Sequence, residues 1–221
     1  MKQLKSYIKE SLLGDEDELV NNEPLLDVYN YIKDHYSTYP DNIGAYNIKK
    51  SKSGYIVDVD GDLILKNTES SLTDGSFKFG RVRGYFECAG SKIINLIGAP
   101  EIVDKFFDCG QCKELTSLEG GPRQVNGSLY SISYCPKLTT LKGGPEKVEG
   151  DFNCGGCKGL MTLEGGPTYV GGNYQAYSCP KLKNLAGVDV VKGYLDIRFC
   201  KGLAVSRNMM YISKNINRVI S

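Results

Sequence analysis

The sequence predicts a mainly β fold, a solenoid of about seven short coils, and three observations carry that prediction. The first is a repeat. The stretch 148–170 reads Val148, Gly150, Phe152, Cys154, Cys157, Leu160, Leu163 and then Gly165-Gly166-Pro167, and the stretches on either side repeat it. Units open at Val59, Val82, Val103, Val125, Val148, Val170 and Val191, at spacings of 23, 21, 22, 23, 22 and 21 residues, a period that marks a solenoid. The second is alternation. Counting the opening Val as zero, positions +2 (Gly, or Lys105 in the third unit), +4 and +6 share one face, the period of a half-buried strand. The third is the Gly-Gly-Pro turn, whose glycines admit positive φ and whose proline fixes one torsion.

Taken in order, residues 2–13 set Leu4, Tyr7, Ile8 and Leu12 on one helical face with lysines opposite, and Gly14 stops that helix. The acidic run Asp15 to Glu18 with Asn21 and Asn22 reads as a linker, so 1–22 form a separable helix and tether. A second helix is expected over 24–36: Pro24 suits its first turn, and Leu25, Leu26, Val28, Tyr29 and Ile32 can be buried. With the turn Tyr39-Pro40-Asp41-Asn42 it makes an N-terminal cap over 23–50. The solenoid follows over 51–205. Its +4 column is Leu63, Phe86, Phe107, Leu129, Phe152, Tyr174 and Leu195; its +6 column is Leu65, Cys88, Cys109, Ser131, Cys154, Ala176 and Ile197. Positions near +9, +12 and +15 add Cys and Leu every third residue. One unit cannot bury its own apolar face, but seven stacked units share a core. Residues 206–221, with Met209, Met210, Ile212, Ile216 and Ile220, are expected to close the open end as a short helix.

The segment F-x-C-x-x-C-x-x-L-x-x-L resembles that of cysteine-type leucine-rich repeats. With its Gly-Gly-Pro turn, the unit looks like repeats of large tailed phages and some bacteria. This resemblance covers roughly 57–206 and implies a right-handed leucine-rich-repeat-like solenoid with little room for a long convex helix. The opening M-K-Q-L-K-S-Y-I-K-E-S resembles the capsid-targeting leader of T4-like phages. That resemblance implies Ile8 and Glu10 as recognition residues and cleavage between Glu10 and Ser11.

Bulk numbers narrow the functions. A net charge of +1 gives no global pull toward nucleic acid or an acidic membrane. No apolar run approaches the roughly 18 residues of a membrane span, and the N-terminus lacks a signal peptide's apolar core. The eight cysteines are read as reduced thiols. Cys109-x-x-Cys112 and Cys154-x-x-Cys157 have zinc-like spacing, but all eight fall in two repeat columns, as small buried residues would. Asp58, Asp60, Asp62 and Glu69 partly match a calcium loop, yet Leu63 stands where that loop needs glycine. His35 is the single histidine and no catalytic partner or phosphate-binding loop accompanies it. The expectation is a non-enzyme without metal or cofactor.

The outward positions +1, +3 and +5 hold Asp60, Asp62, Glu87, Asp104, Asp108, Glu149, Asp151 and Asp196 against only Arg83 and Lys192. Tyr85, Phe106, Tyr130 and Tyr194 lie among them. Such a face repels a phosphate backbone and suits a basic protein surface or sugar rings. A second column, Lys92, Lys113, Lys137, Lys158, Lys181 and Lys201, forms a lysine ridge that suits an acidic partner or nucleic acid or serves only as a soluble turn filler, and nucleic acid is not the expected partner. The expected function is a protein-binding module of a phage, carried in the virion or acting in the host cytoplasm. The alternatives are a structural or decoration component of the particle and a host-directed inhibitor.

Overall fold

The computed structural model describes residues 23–37, 46–65, 70–203 and 216–221. Its residues are mainly β and build a solenoid of about seven turns. The helix assigned to 2–13, the acidic linker, Ile8, Glu10 and Ser11, and Glu69, Met209, Met210 and Ile212 lie outside the described residues.

Each coil contributes two short strands rather than the single strand that alternation implied. The opening strands are β3 (Gly54–Val59), β5 (Phe77–Val82), β7 (Ile102–Val103), β9 (Gln124–Val125), β11 (Lys147–Val148) and β13 (Tyr169–Val170). The second strands are β4 (Leu63–Leu65), β6 (Phe86–Glu87), β8 (Phe107–Asp108), β10 (Leu129–Ser131), β12 (Asp151–Asn153) and β14 (Tyr174–Gln175). Only in the last coil does one strand, β15 (Val190–Asp196), run through both positions, joining the two parallel ladders into one folded sheet. The bend falls at +2 because the coil below approaches there. A Cβ on Gly127 would overlap the Lys105 carbonyl, and one on Gly172 would overlap the Asp151 carboxylate.

The core follows the repeat. All seven opening valines are buried, as are Ile93, Leu115, Leu138, Leu160, Leu182 and Leu203 on the turn side. Phe86, Phe107, Tyr130, Phe152 and Tyr174 form a stack with centroids 4.8–5.4 Å apart. Each such buried side chain contributes roughly 1.5–3 kcal/mol, so the column carries much of the coil-to-coil cohesion.

The fourth coil corrects the expected register. Tyr130 pairs with Phe107 on one side and Phe152 on the other and is fully buried. It is therefore not a residue of the outward face. Leu129 and Ser131 step out of the two core columns, and Tyr130 and Ile132 take their places. One extra residue between Val125 and Tyr130 shifts this coil, and a shift of one exchanges the faces.

At the N-terminal end, α1 (Glu23–His35) buries Leu25, Val28 and Ile32 and leaves Leu26 exposed. The side chain of Tyr29 lies outside the described residues. β1 (Tyr36–Ser37) pairs antiparallel with β4, and the Tyr36 hydroxyl donates to the Leu72 carbonyl at 2.6 Å. β2 (Tyr46–Ser51) pairs antiparallel with β3, so both ladders are closed there. At the other end the expected cap helix is corrected over 216–220, where the described residues form β16 (Ile216–Ile220), parallel to β15. The last coil leaves unpaired backbone on β15, which a strand satisfies and a helix cannot. Ile216, Val219 and Ile220 are β-branched, as strands favour.

Candidate binding faces

From the second coil on, each coil has an inside that the cysteines settle and an outside that the charges and rings settle. Inside, the carbonyl at +6 points into the core, away from the ladder. The thiol of the next coil meets it. Cys112 Sγ donates to the Cys88 carbonyl at 3.3 Å, Cys135 to Cys109 at 3.4 Å and Cys157 to Ile132 at 3.1 Å. Cys179 donates to Cys154 at 3.4 Å and Cys200 to Ala176 at 3.1 Å. A small side chain with one donor is what this position needs, and in the second coil Ser91 fills it, bonded to Cys112. The hydrogen bond with Cys200 and burial raise the Cys179 thiol far above its ordinary range, and burial does the same for Cys154.

The reading of eight reduced thiols is corrected for one pair. Cys88 and Cys109 share the +6 column in adjacent coils, with Cα atoms 4.9 Å apart, and are joined by a disulfide. Strand spacing places that pair within disulfide reach. The other six cysteines are free and buried. Among the described residues no group of three or more His, Cys, Asp or Glu is arranged to hold a metal ion. The calcium-like acids are held apart by other partners: Asp58 by Lys49 and the Arg81 amide, Asp60 by Arg83, and Asp62 by the Tyr85 amide.

Outside, the acids are engaged in the same way. Arg81 grips Asp104 through two nitrogens, each at 2.9 Å, and Asn126 adds a third bond. Burial pushes the Asp104 carboxyl up, but these hydrogen bonds outweigh it and hold it below its usual value. Glu149 pairs with Lys147, and Asp196 is buried beneath Arg198. Asp151 accepts the Asn173 amide at 2.7 Å, and Asn173 accepts that of Tyr194 at 3.1 Å. Asp108 and Asn153 cap the amides two residues on. Among the described residues, Glu87 alone of the eight face acids has neither an ion pair nor a hydrogen bond. The basic partners Arg81, Lys147 and Arg198 sit one column away from the alternation, where a count along +1, +3 and +5 misses them.

The bend also separates the expected face into two sides. Arg83, Asp104 and Glu149 flank the opening strands, whereas Tyr85, Glu87, Phe106, Asp108, Asp151, Tyr194 and Asp196 belong with the second strands. On this second side Tyr85 and Phe106 stack face to face, with centroids 4.5 Å apart and planes 5° apart.

Sequence reasoning missed the rim of that side. The residue before each ladder Cys or Ser takes a left-handed backbone: Gly90 and Gly156 as expected, but also Gln111, Tyr134, Ser178 and Phe199. Tyr134 is 54% exposed and Phe199 is 72% exposed. Tyr134 lies over Gly156 and Tyr177 over Gly155, and a Cβ on either glycine would meet the ring above it. Their hydroxyls are 3.5 Å apart, and that bond, with burial, pushes the Tyr177 phenol up to about 12. The six ridge lysines are all exposed on the remaining, turn side. Comparison with protein-family models, with curated proteins and with solved structures gave no match.

Proposed function

We propose that the chain is a non-enzymatic protein-binding module, a right-handed leucine-rich-repeat-like solenoid that meets its partner on the second-strand side. Right-handed winding follows the strong preference of parallel crossover connections. Tyr134 and Phe199 carry the reading. Their position requires φ near +60°, which glycine adopts freely and an aromatic residue adopts at roughly 1–2 kcal/mol. Gly90 and Gly156 show that glycine serves the same turn. Placing rings there and leaving them in solvent adds strain and exposes apolar surface without serving the core. Side chains held in strained conformations at an accessible surface are a mark of recognition, and aromatic residues are the ones enriched at protein interfaces.

The stacked Tyr85–Phe106 pair and the Tyr134–Tyr177 pair bracket a strip of the half-buried Asp108, Asn153 and Gln175, which supplies hydrogen bonds to a partner backbone. The paired acids hold this surface in shape. The test is an affinity pull-down from native cells with the wild type and with Tyr134→Ser/Phe199→Ser. A partner captured by the first and lost by the second supports this side. A partner list that the double variant leaves unchanged rejects it.

The phage and virion part of the reading rests on the leader-like opening and the repeat resemblance. It expects particles to contain a mature form beginning at Ser11, seen by mass spectrometry. Particles that lack the chain remove that part and leave the binding side standing.

A further inference from the structure

The charges of the turn side behave unlike those of the strand sides, and the contrast points to a second surface. Among the described residues, Lys92, Lys113, Lys158, Lys181 and Lys201 make no ion pair. Only Lys137 in their row does, to Glu114. Lys142 and Lys183 lie in neighbouring columns, and Glu114, Glu119 and Glu164 are the acids of these turns. Coils stack at about 4.8 Å, so the six-membered row extends over about 24 Å. Adjacent backbone bonds, such as Thr116 to Ile94 and Lys183 to Met161, show that the turns stack in register. The lysines therefore form a row of positive charge that shifts by one residue between coils, with Glu114 set within it as the partner of Lys137.

We infer that this row binds the phosphate backbone of duplex DNA without reading its sequence. A linear polyanion matches a linear row, and about 24 Å covers about seven base pairs at 3.4 Å each. Lysine supplies point charges without the forked geometry that would read a base edge. The turn segments 92–98, 113–121, 137–144, 158–166 and 181–187 contain no aromatic residue, so nothing there stacks on unpaired bases. Lysine is depleted at protein interfaces, which disfavours an acidic protein as the occupant. The acidic count that argued against nucleic acid concerned the strand sides, where the acids are paired, and it does not reach this side.

The experiment is fluorescence anisotropy of a random-sequence duplex with the full chain, over about 50–200 mM salt. Five free lysines predict a slope of log K against log salt of about −4.5, a loss of about 500-fold across that range. The triple variant Lys113→Gln, Lys158→Gln, Lys181→Gln predicts a slope of about −1.8, with an unchanged circular dichroism spectrum because all three residues are exposed. Absence of duplex binding overturns the inference, and so does a triple variant with the wild-type slope. Tighter binding to phosphatidylserine-containing vesicles or to polyglutamate than to the duplex overturns the choice of nucleic acid. The Tyr134/Phe199 variant leaves this binding intact, so the two surfaces fail or survive separately.

Discussion

In the six coils from Val82 on, two neighbouring positions answer to opposite demands. The ladder position is buried and holds Ser91, Cys112, Cys135, Cys157, Cys179 and Cys200. The residue just before it is the left-handed one and holds Gly90, Gln111, Tyr134, Gly156, Ser178 and Phe199. The first varies only between two small donors, and at its five cysteines a carbonyl of the coil below accepts the thiol. The second varies from glycine to phenylalanine, because the fold asks only for a backbone torsion. Where the fold leaves a choice and the sequence chooses against local ease, the residue reports on something other than folding.

The largest expected effect belongs to the positions the fold fixes most tightly. Gly127→Ala drives a methyl into the Lys105 carbonyl and is expected to lose about 3 kcal/mol, read from the urea midpoint. A midpoint equal to the wild type would mean that the coils are not stacked this closely. Next comes the ladder itself. Cys157→Ala leaves the Ile132 carbonyl unpartnered and is expected to cost about 2 kcal/mol, while Cys157→Ser keeps the donor and costs less. At Cys154, which is in the other column and donates to no carbonyl, the order should invert, since serine there buries a hydroxyl without a partner. The same ranking at both sites would remove the donor role. Smaller again is Tyr174→Phe. The Tyr174 hydroxyl is buried without a partner, so its removal should raise stability by about 1 kcal/mol in thermal melts. A loss instead would point to an ordered water bonded to that hydroxyl.

Much of the solenoid was legible because its signals are repeated seven times. The opening valines, the leucine columns and the two cysteine columns all stand where period and alternation set them. The bend was hidden because a glycine at +2 fits an extended strand as well as a corner. The inserted residue in the fourth coil was hidden because Leu129 is apolar and fits the expected column. The better signal was Tyr130 with Ile132, two apolar residues two apart, against a column that put Ser131 in the core. Candidate site residues read less well. An acid on an alternating face looks available in sequence, yet Asp104, Glu149 and Asp196 find cations at −1 or +7, and Asp151 finds a backbone amide in the next coil. Tyr134, Tyr177 and Phe199 gave no signal by periodicity, since nothing in the composition marks a positive φ.

The claim that the rim rings serve recognition rather than folding is tested most directly at Phe199, which is exposed and makes no ring contact among those between described residues. Phe199→Gly relieves the left-handed strain against some gain in unfolded-chain freedom. The account predicts a rise of about 0.5–1 kcal/mol in unfolding free energy together with loss of the captured partner. A fall in stability with the partner still bound would contradict it.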